Sequence, residues 1–176
     1  MNAVIVGCGR VGAGLADELD RAGWRVLILD TNAAAFDRLP LTFGGSAVRG
    51  DGTDEDVLRN AGAEGADLFL SLTEGDNRNV MAAQLAIEAL GAKQTIAKVN
   101  DPVRADAYAH LGIATMCRTN LMTDSVLAFL GRPRPARPGV NAPEQPHEHG
   151  TDGEHASEGP AGPVTRAAAG APARED

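Results

Sequence analysis

Three glycines stand at the spacing Gly7-Cys8-Gly9-Arg10-Val11-Gly12, a GxGxxG pattern. Backbone N–H groups in such a loop can bind an anion. Gly7 permits a tight turn, Gly9 lets the backbone approach a pyrophosphate, and Gly12 allows close packing of helix on strand. If a helix opens at the loop, its free N–H groups and positive dipole end face the phosphates. Arg10 stands beside the phosphate position. Its guanidinium either pairs with a phosphate or stays solvated at the helix start. Asp30 follows about 20 residues downstream, where an acid accepts hydrogen bonds from an adenosine ribose. A carboxylate there repels a 2′-phosphate. Asp30 with its neighbour Thr31 therefore favours NAD or an adenine nucleotide over NADP.

Other polar residues follow strand-like runs, where ligands of open α/β sheets bind. Asp51, beside Gly52, is placed to accept from an adenine edge. Thr73 is placed to line the second half of a dinucleotide site. Asp76 either joins that site or caps a helix. Lys98 either touches a phosphate or is solvated. Proton-transfer chemistry is poorly served. Tyr108 is followed four residues on by Gly112, so no TyrxxxLys dyad forms, and His110 is the only histidine before residue 131. An NAD-dependent oxidoreductase, or a fragment of one, needs an acid or base near the nicotinamide, so it is the rival reading, and no catalytic residues are assigned. A third reading is an interaction module that keeps the fold without the ligand.

The elements that must position these residues alternate strictly. Ala3–Val6, a wholly apolar run, Arg25–Leu29, the weaker Ser46–Val48, Asp67–Leu72, Thr95–Val99 and Ile113–Met116 read as six short strands. Helices are expected over Arg10–Ala22, Ala33–Leu39, from Thr53 with Asp56 completing a capping box, Asn77–Leu90, Pro102–His110 and Thr123–Leu130. Gly23, Gly91 and Gly112 fall where helices stop. The expected fold is α/β: a doubly wound, Rossmann-type, six-stranded parallel sheet with helices on both faces.

That domain spans residues 1–130. Residues 131–176 are rich in Pro, Gly, Ala, Glu and His and contain no aromatic residue. They are expected to form a disordered tail, because they bury too little apolar surface to offset ordering entropy. His147, His149 and His155 in that tail lack a fixed geometry for a metal. A formal net charge of −8 over 176 residues argues against a nucleic-acid partner. No run of about 18 apolar residues suggests membrane insertion, and no export signal is recognisable, so a cytoplasmic location is expected. Cys8 and Cys117 show no metal or CxxC spacing and read as apolar fillers.

The combined pattern resembles a known family. The glycine loop, Asp30, Gly50-Asp51-Gly52-Thr53 before Leu58 and Ala61-Gly62, Ala66-Asp67, Thr73, Asp76-Asn77, and Ala97-Lys98-Val99-Asn100-Asp101-Pro102 are similar to the N-terminal domain of regulators of potassium conductance, the TrkA-N domain of Trk/Ktr-type uptake systems. The resemblance covers residues 1 to about 130. It implies a regulatory subunit, not an enzyme, that dimerises or forms rings beneath a potassium-translocating membrane subunit. NAD or NADH, alternatively ATP or ADP, in the cleft would gate ion flow. It further implies that Arg10 meets the phosphates, Asp30 the ribose and Asp51 the adenine, and that helix Thr123–Leu130 packs on a partner subunit. Lys98 stands where many members have arginine. The family's second domain is replaced by the polar tail, which raises co-assembly with a full-length paralogue.

Overall fold

A computed structural model describes residues 1–133. The expected tail, with its three histidines, lies outside the described residues apart from Gly131, Arg132 and Pro133. Six strands appear: β1 (Asn2–Val6), β2 (Arg25–Asp30), β3 (Ser46–Arg49), β4 (Leu68–Ser71), β5 (Thr95–Lys98) and β6 (Thr115–Met116). The helices are α1 (Arg10–Arg21), α2 (Glu55–Asn60), α3 (Asp76–Glu88), α4 (Pro102–His110) and α5 (Arg118–Phe129).

All strand pairs are parallel, in the order β3-β2-β1-β4-β5-β6. The expected doubly wound fold is therefore present. The order reverses after β3, because β4 lies on the far side of β1. The carboxyl ends of β1 and β4 thus flank a crevice from which successive connections diverge, the place where such sheets bind ligands.

The strands are apolar on both faces because both faces are covered. Val4, Val6, Leu27 and Leu29 point to one side, onto Leu58 of α2 and Ala82 and Ala86 of α3. Ile5, Val26 and Ile28 point to the other, onto Ala13 and Ala16 of α1. A third cluster joins α3 and α4 over β5 through Ala83, Ala97, Val99 and Ala105. Alanines on the inner helix faces let the helices approach a sheet that contains few aromatic residues.

Four local readings are corrected. Ala33–Arg38 is a 3₁₀ turn rather than an α-helix, opened by Asn32, whose Oδ1 accepts from Ala34 N–H at 3.1 Å. No Thr53/Asp56 capping box forms. Asp54 caps α2 by accepting from Val57 N–H at 3.1 Å, and Thr53 is taken by Asp51. Helix α3 begins one residue early, so Asp76 lies inside its first turn and Gly75 is the cap. Helix α5 starts at Arg118, not Thr123. Its first turn, Arg118-Thr119-Asn120, is polar and shows no apolar period. Thr119 holds it by donating to the Asn100 carbonyl at 2.7 Å.

Candidate functional site

The crevice at the switch point is an open cleft of about 210 Å³. Its floor is Val6, Leu29 and Leu72, and its walls are Gly7, Gly9, Asp30, Thr31, Gly50, Asp51, Gly52, Thr73, Glu74 and Arg78. Residues from the ends of β1, β2, β3 and β4 and from the first turn of α3 meet there although up to 72 positions separate them in sequence.

Each glycine of the loop has its own physical reason. Gly7 turns the chain with φ +106°, and a Cβ on it would lie 3.0 Å from the Leu72 carbonyl carbon and the Thr73 nitrogen. A Cβ on Gly12 would lie 2.0 Å from the Gly7 carbonyl oxygen, so Gly12 lets α1 pack against the loop. Gly9 differs. It is exposed, has an ordinary φ of −77°, and a Cβ there would meet nothing within 4 Å. No packing demand among the described residues requires glycine at this position. A ligand passing close over the backbone would.

Above Gly9, α1 has no side-chain cap. The first intrahelical bond is Ala13 N–H to the Gly9 carbonyl, 2.8 Å. The amides ahead of it in the first turn have no intrahelical acceptor and carry the positive end of the dipole.

Asp30 is half-buried and already engaged. One carboxylate oxygen accepts from Cys8 N–H at 2.7 Å and the other from Asn32 N–H at 2.9 Å. Each carboxylate oxygen has a second lone pair, so hydroxyls of a sugar remain acceptable donors. This acid therefore braces the glycine loop, a role that spacing does not reveal. Asp51 Oδ1 accepts from Thr53 N–H at 3.0 Å and from Thr53 Oγ1 at 2.8 Å. These bonds, with help from the charge of Arg78, hold its carboxyl below the usual range. Asp51 is thus an acceptor at neutral pH. Gly52 beside it is a packing residue, since a Cβ would fall 2.2 Å from Val6 Cγ1.

Thr73 is positioned by Asn79, a fully buried residue of α3 not singled out in the sequence. Asn79 Oδ1 accepts from Thr73 N–H (2.8 Å) and Thr73 Oγ1 (2.7 Å), and its Nδ2 donates to the carbonyls of Thr73 (3.0 Å) and Lys98 (2.8 Å). One amide thereby straps the ends of β4 and β5 together.

The remaining sequence candidates lie off the cleft walls. Asp76 accepts from Asn100 N–H and Nδ2, both at 3.0 Å, and from Asp101 N–H at 3.3 Å. It ties α3 to the β5–α4 connection. Lys98 is buried, with its Nζ 3.7 Å from the exposed Glu74. Val11 is exposed on α1. Arg10 lines a separate open groove with Ala13, Gly14, Asp17, Arg38 and Pro40. Two wall residues, Glu74 and Arg78, were missed by sequence reading, because neither belongs to a recognisable spacing.

Cys8 is fully buried, with its thiol 3.3 Å from the Ala35 carbonyl oxygen. Burial, and secondarily the charge of Asp30, pushes its pKa up. A buried thiol held in its neutral form is a poor nucleophile. Cys8 should resist alkylation at pH 8 in the native protein and react once denaturant is added, as mass spectrometry would show. Rapid native labelling would refute this. No group of three or more metal-ligating side chains occurs among the described residues, nor is any of their helices long and apolar enough to cross a membrane.

Residues 3–119 match the TrkA-N domain family model. The chain is 42% identical over 130 residues to the Trk system potassium uptake protein TrkA of Streptomyces coelicolor, covering 74% of this chain and 58% of that protein. It thus spans little more than half of that relative's length. Among solved structures it is similar to the AMP-bound Kef CTD of Shewanella denitrificans (TM-score 0.60, 23% identity, 74% of this chain and 82% of that one). It is also similar to the GsuK channel bound to NAD (TM-score 0.59, 18% identity, 72% of this chain and 23% of that one). These two likenesses establish the fold.

Proposed function

The chain belongs to the TrkA-N domain family, and on that premise we propose that residues 1–130 form a nucleotide-sensing regulatory module for a potassium-transport protein in the membrane. NAD or NADH is the leading ligand, with ATP or ADP as the competing class. The observation that carries this reading is Gly9. It is free of every steric demand, stands over the uncapped start of α1, and faces a cleft whose lining includes Asp30. A pyrophosphate fits over Gly9, a ribose against Asp30, and an adenine edge against Asp51. The related names point the same way. The Streptomyces relative is a potassium uptake protein, and the GsuK structure is of a channel with NAD. They favour regulation over hydride transfer.

Such a module works only if ligand binds one arrangement of the assembly better than another, since equal affinity shifts nothing. An assembly requires an interface, and α5 offers one. None of its residues is buried, and Met122, Val126 and Phe129 are 64%, 57% and 90% exposed. An apolar face of this kind marks a binding surface, and we assign it to a second copy or a longer paralogue. The module is placed in the cytoplasm, beneath its membrane partner.

Calorimetric titration with NAD, NADH, ATP and ADP, combined with light scattering, tests the reading. Saturable binding without turnover is expected, together with oligomers that Phe129→Asp dissociates. A protein that binds none of the four ligands would overturn the sensing role. One that remains monomeric at high concentration would overturn the assembly.

A further inference from the structure

The cleft walls carry three carboxylates, Asp30, Asp51 and Glu74, and one guanidinium, Arg78. Nothing in the fold accounts for that arginine. It stands in the first turn of α3, where the helix dipole opposes a cation. Its neighbours all serve the structure. Asp76 holds Asn100, Asn77 accepts from Arg104, and Asn79 straps β4 to β5. The Arg78 side chain makes no hydrogen bond or ion pair with any described residue, and its charge acts on Asp51. Glu74 is faced by Lys98 at 3.7 Å, and Arg78 is the one cation among the residues that line the cleft. The glycine-loop arginine, Arg10, lines the neighbouring groove with Asp17 and Arg38.

We propose that Arg78 is the guanidinium that meets the phosphates of the bound nucleotide, the role that family resemblance gives to Arg10. The assignment rests on the nucleotide-binding reading and adds its charge-selecting residue. Gly7 packs directly against Leu72 and Thr73, so the β4–α3 connection that leads to Arg78 borders the phosphate loop. A guanidinium there can make two parallel bonds to phosphate oxygens. It also offsets the carboxylates that hold the sugar and base. Arg78 reaches the ligand from the rim, so its removal costs the fold nothing.

The test compares wild type, Arg78→Ala and Arg10→Ala by titration with ADP, NADH and adenosine, with thermal melts as the folding control. Arg78→Ala should lose about tenfold or more in affinity for ADP, while its adenosine affinity and melting temperature hold. Arg10→Ala should lose no more than about threefold, as expected of a solvated charge. A larger loss in Arg10→Ala, or no loss in either variant, overturns the assignment while the nucleotide site stands. An equal loss for adenosine and ADP in Arg78→Ala moves the residue to the base and also overturns it. Wild-type protein that binds none of the three ligands brings down the nucleotide reading itself, and this assignment with it.

Discussion

Gly9→Val is expected to abolish nucleotide binding and leave the melting temperature within a few degrees of wild type. The backbone of Gly9 already has β-region angles, φ −77° and ψ −173°, that valine adopts without strain. The space that its side chain would fill contains no protein atom within 4 Å. Glycine ranks above valine as an N-cap, so the start of α1 loses about 1 kcal/mol or less, a small shift in the melt. The added methyl groups would, however, occupy the route by which a pyrophosphate reaches the first-turn amides. Loss of the bonds between phosphate and backbone, each charge-assisted and worth about 1.5–3 kcal/mol, is enough to weaken binding a hundredfold or more. Fluorescence titration with NADH alongside a thermal melt separates the two effects. Retained affinity would show that the ligand, if any, does not cross Gly9. Global unfolding would show that the loop does not tolerate any side chain.

Gly12→Ala, three residues on, should do the opposite and unfold the domain under mild conditions. On helix propensity alone the change would gain about 1 kcal/mol. The clash decides the outcome, because the new Cβ would sit 2.0 Å from a backbone oxygen, that of Gly7. Relief requires moving either α1 or the loop. The loop is held by Gly7 N–H to the Leu29 carbonyl at 2.7 Å and by Cys8 N–H to Asp30 at 2.7 Å. Overpacking against yielding side chains costs about 1–3 kcal/mol. Against a fixed backbone the cost is expected at or above the top of that range, a large share of a stability of about 5–15 kcal/mol. Gly14→Ala is the internal control. It lies on the exposed face of the same helix with nothing within 4 Å of its Cβ, so the propensity gain stands unopposed and stability should rise by about 0.5–1 kcal/mol. Denaturant melts of the two alanine variants should move in opposite directions. If both move together, close packing at Gly12 is not what holds α1 to the sheet.

Asp30 needs a gentler substitution than alanine. Its carboxylate braces Cys8 and Asn32 as well as facing the cleft, so Asp30→Ala would disturb loop and ligand together. Asparagine keeps one acceptor and is the better probe of the ribose contact.

The order of elements, the parallel sheet and the glycine loop were legible in the residues themselves. Short, mainly apolar runs separated by longer helical stretches admit few arrangements other than a sheet covered on both faces. Local chemistry sets these features, so a linear reading recovers them. That Gly7, Asp30 and Asp51 line one cleft also followed from spacing, since each ends or follows a strand and parallel strands deliver their ends to one edge. Where a side chain points and what it must hold was decided in three dimensions. Asn79 became a strap because the ends of β4 and β5 lie side by side. Asp76 turned to the β5–α4 connection because that chain passes over its helix start. Arg10 and Arg78 line different cavities because α1 and α3 lie on opposite sides of the sheet. Helix α5 began at Arg118 because a contact with Asn100, nineteen positions away, anchors its polar first turn. Contacts of this kind depend on which distant segments become neighbours, and packing of the folded chain settles that, not the pattern of residues along it.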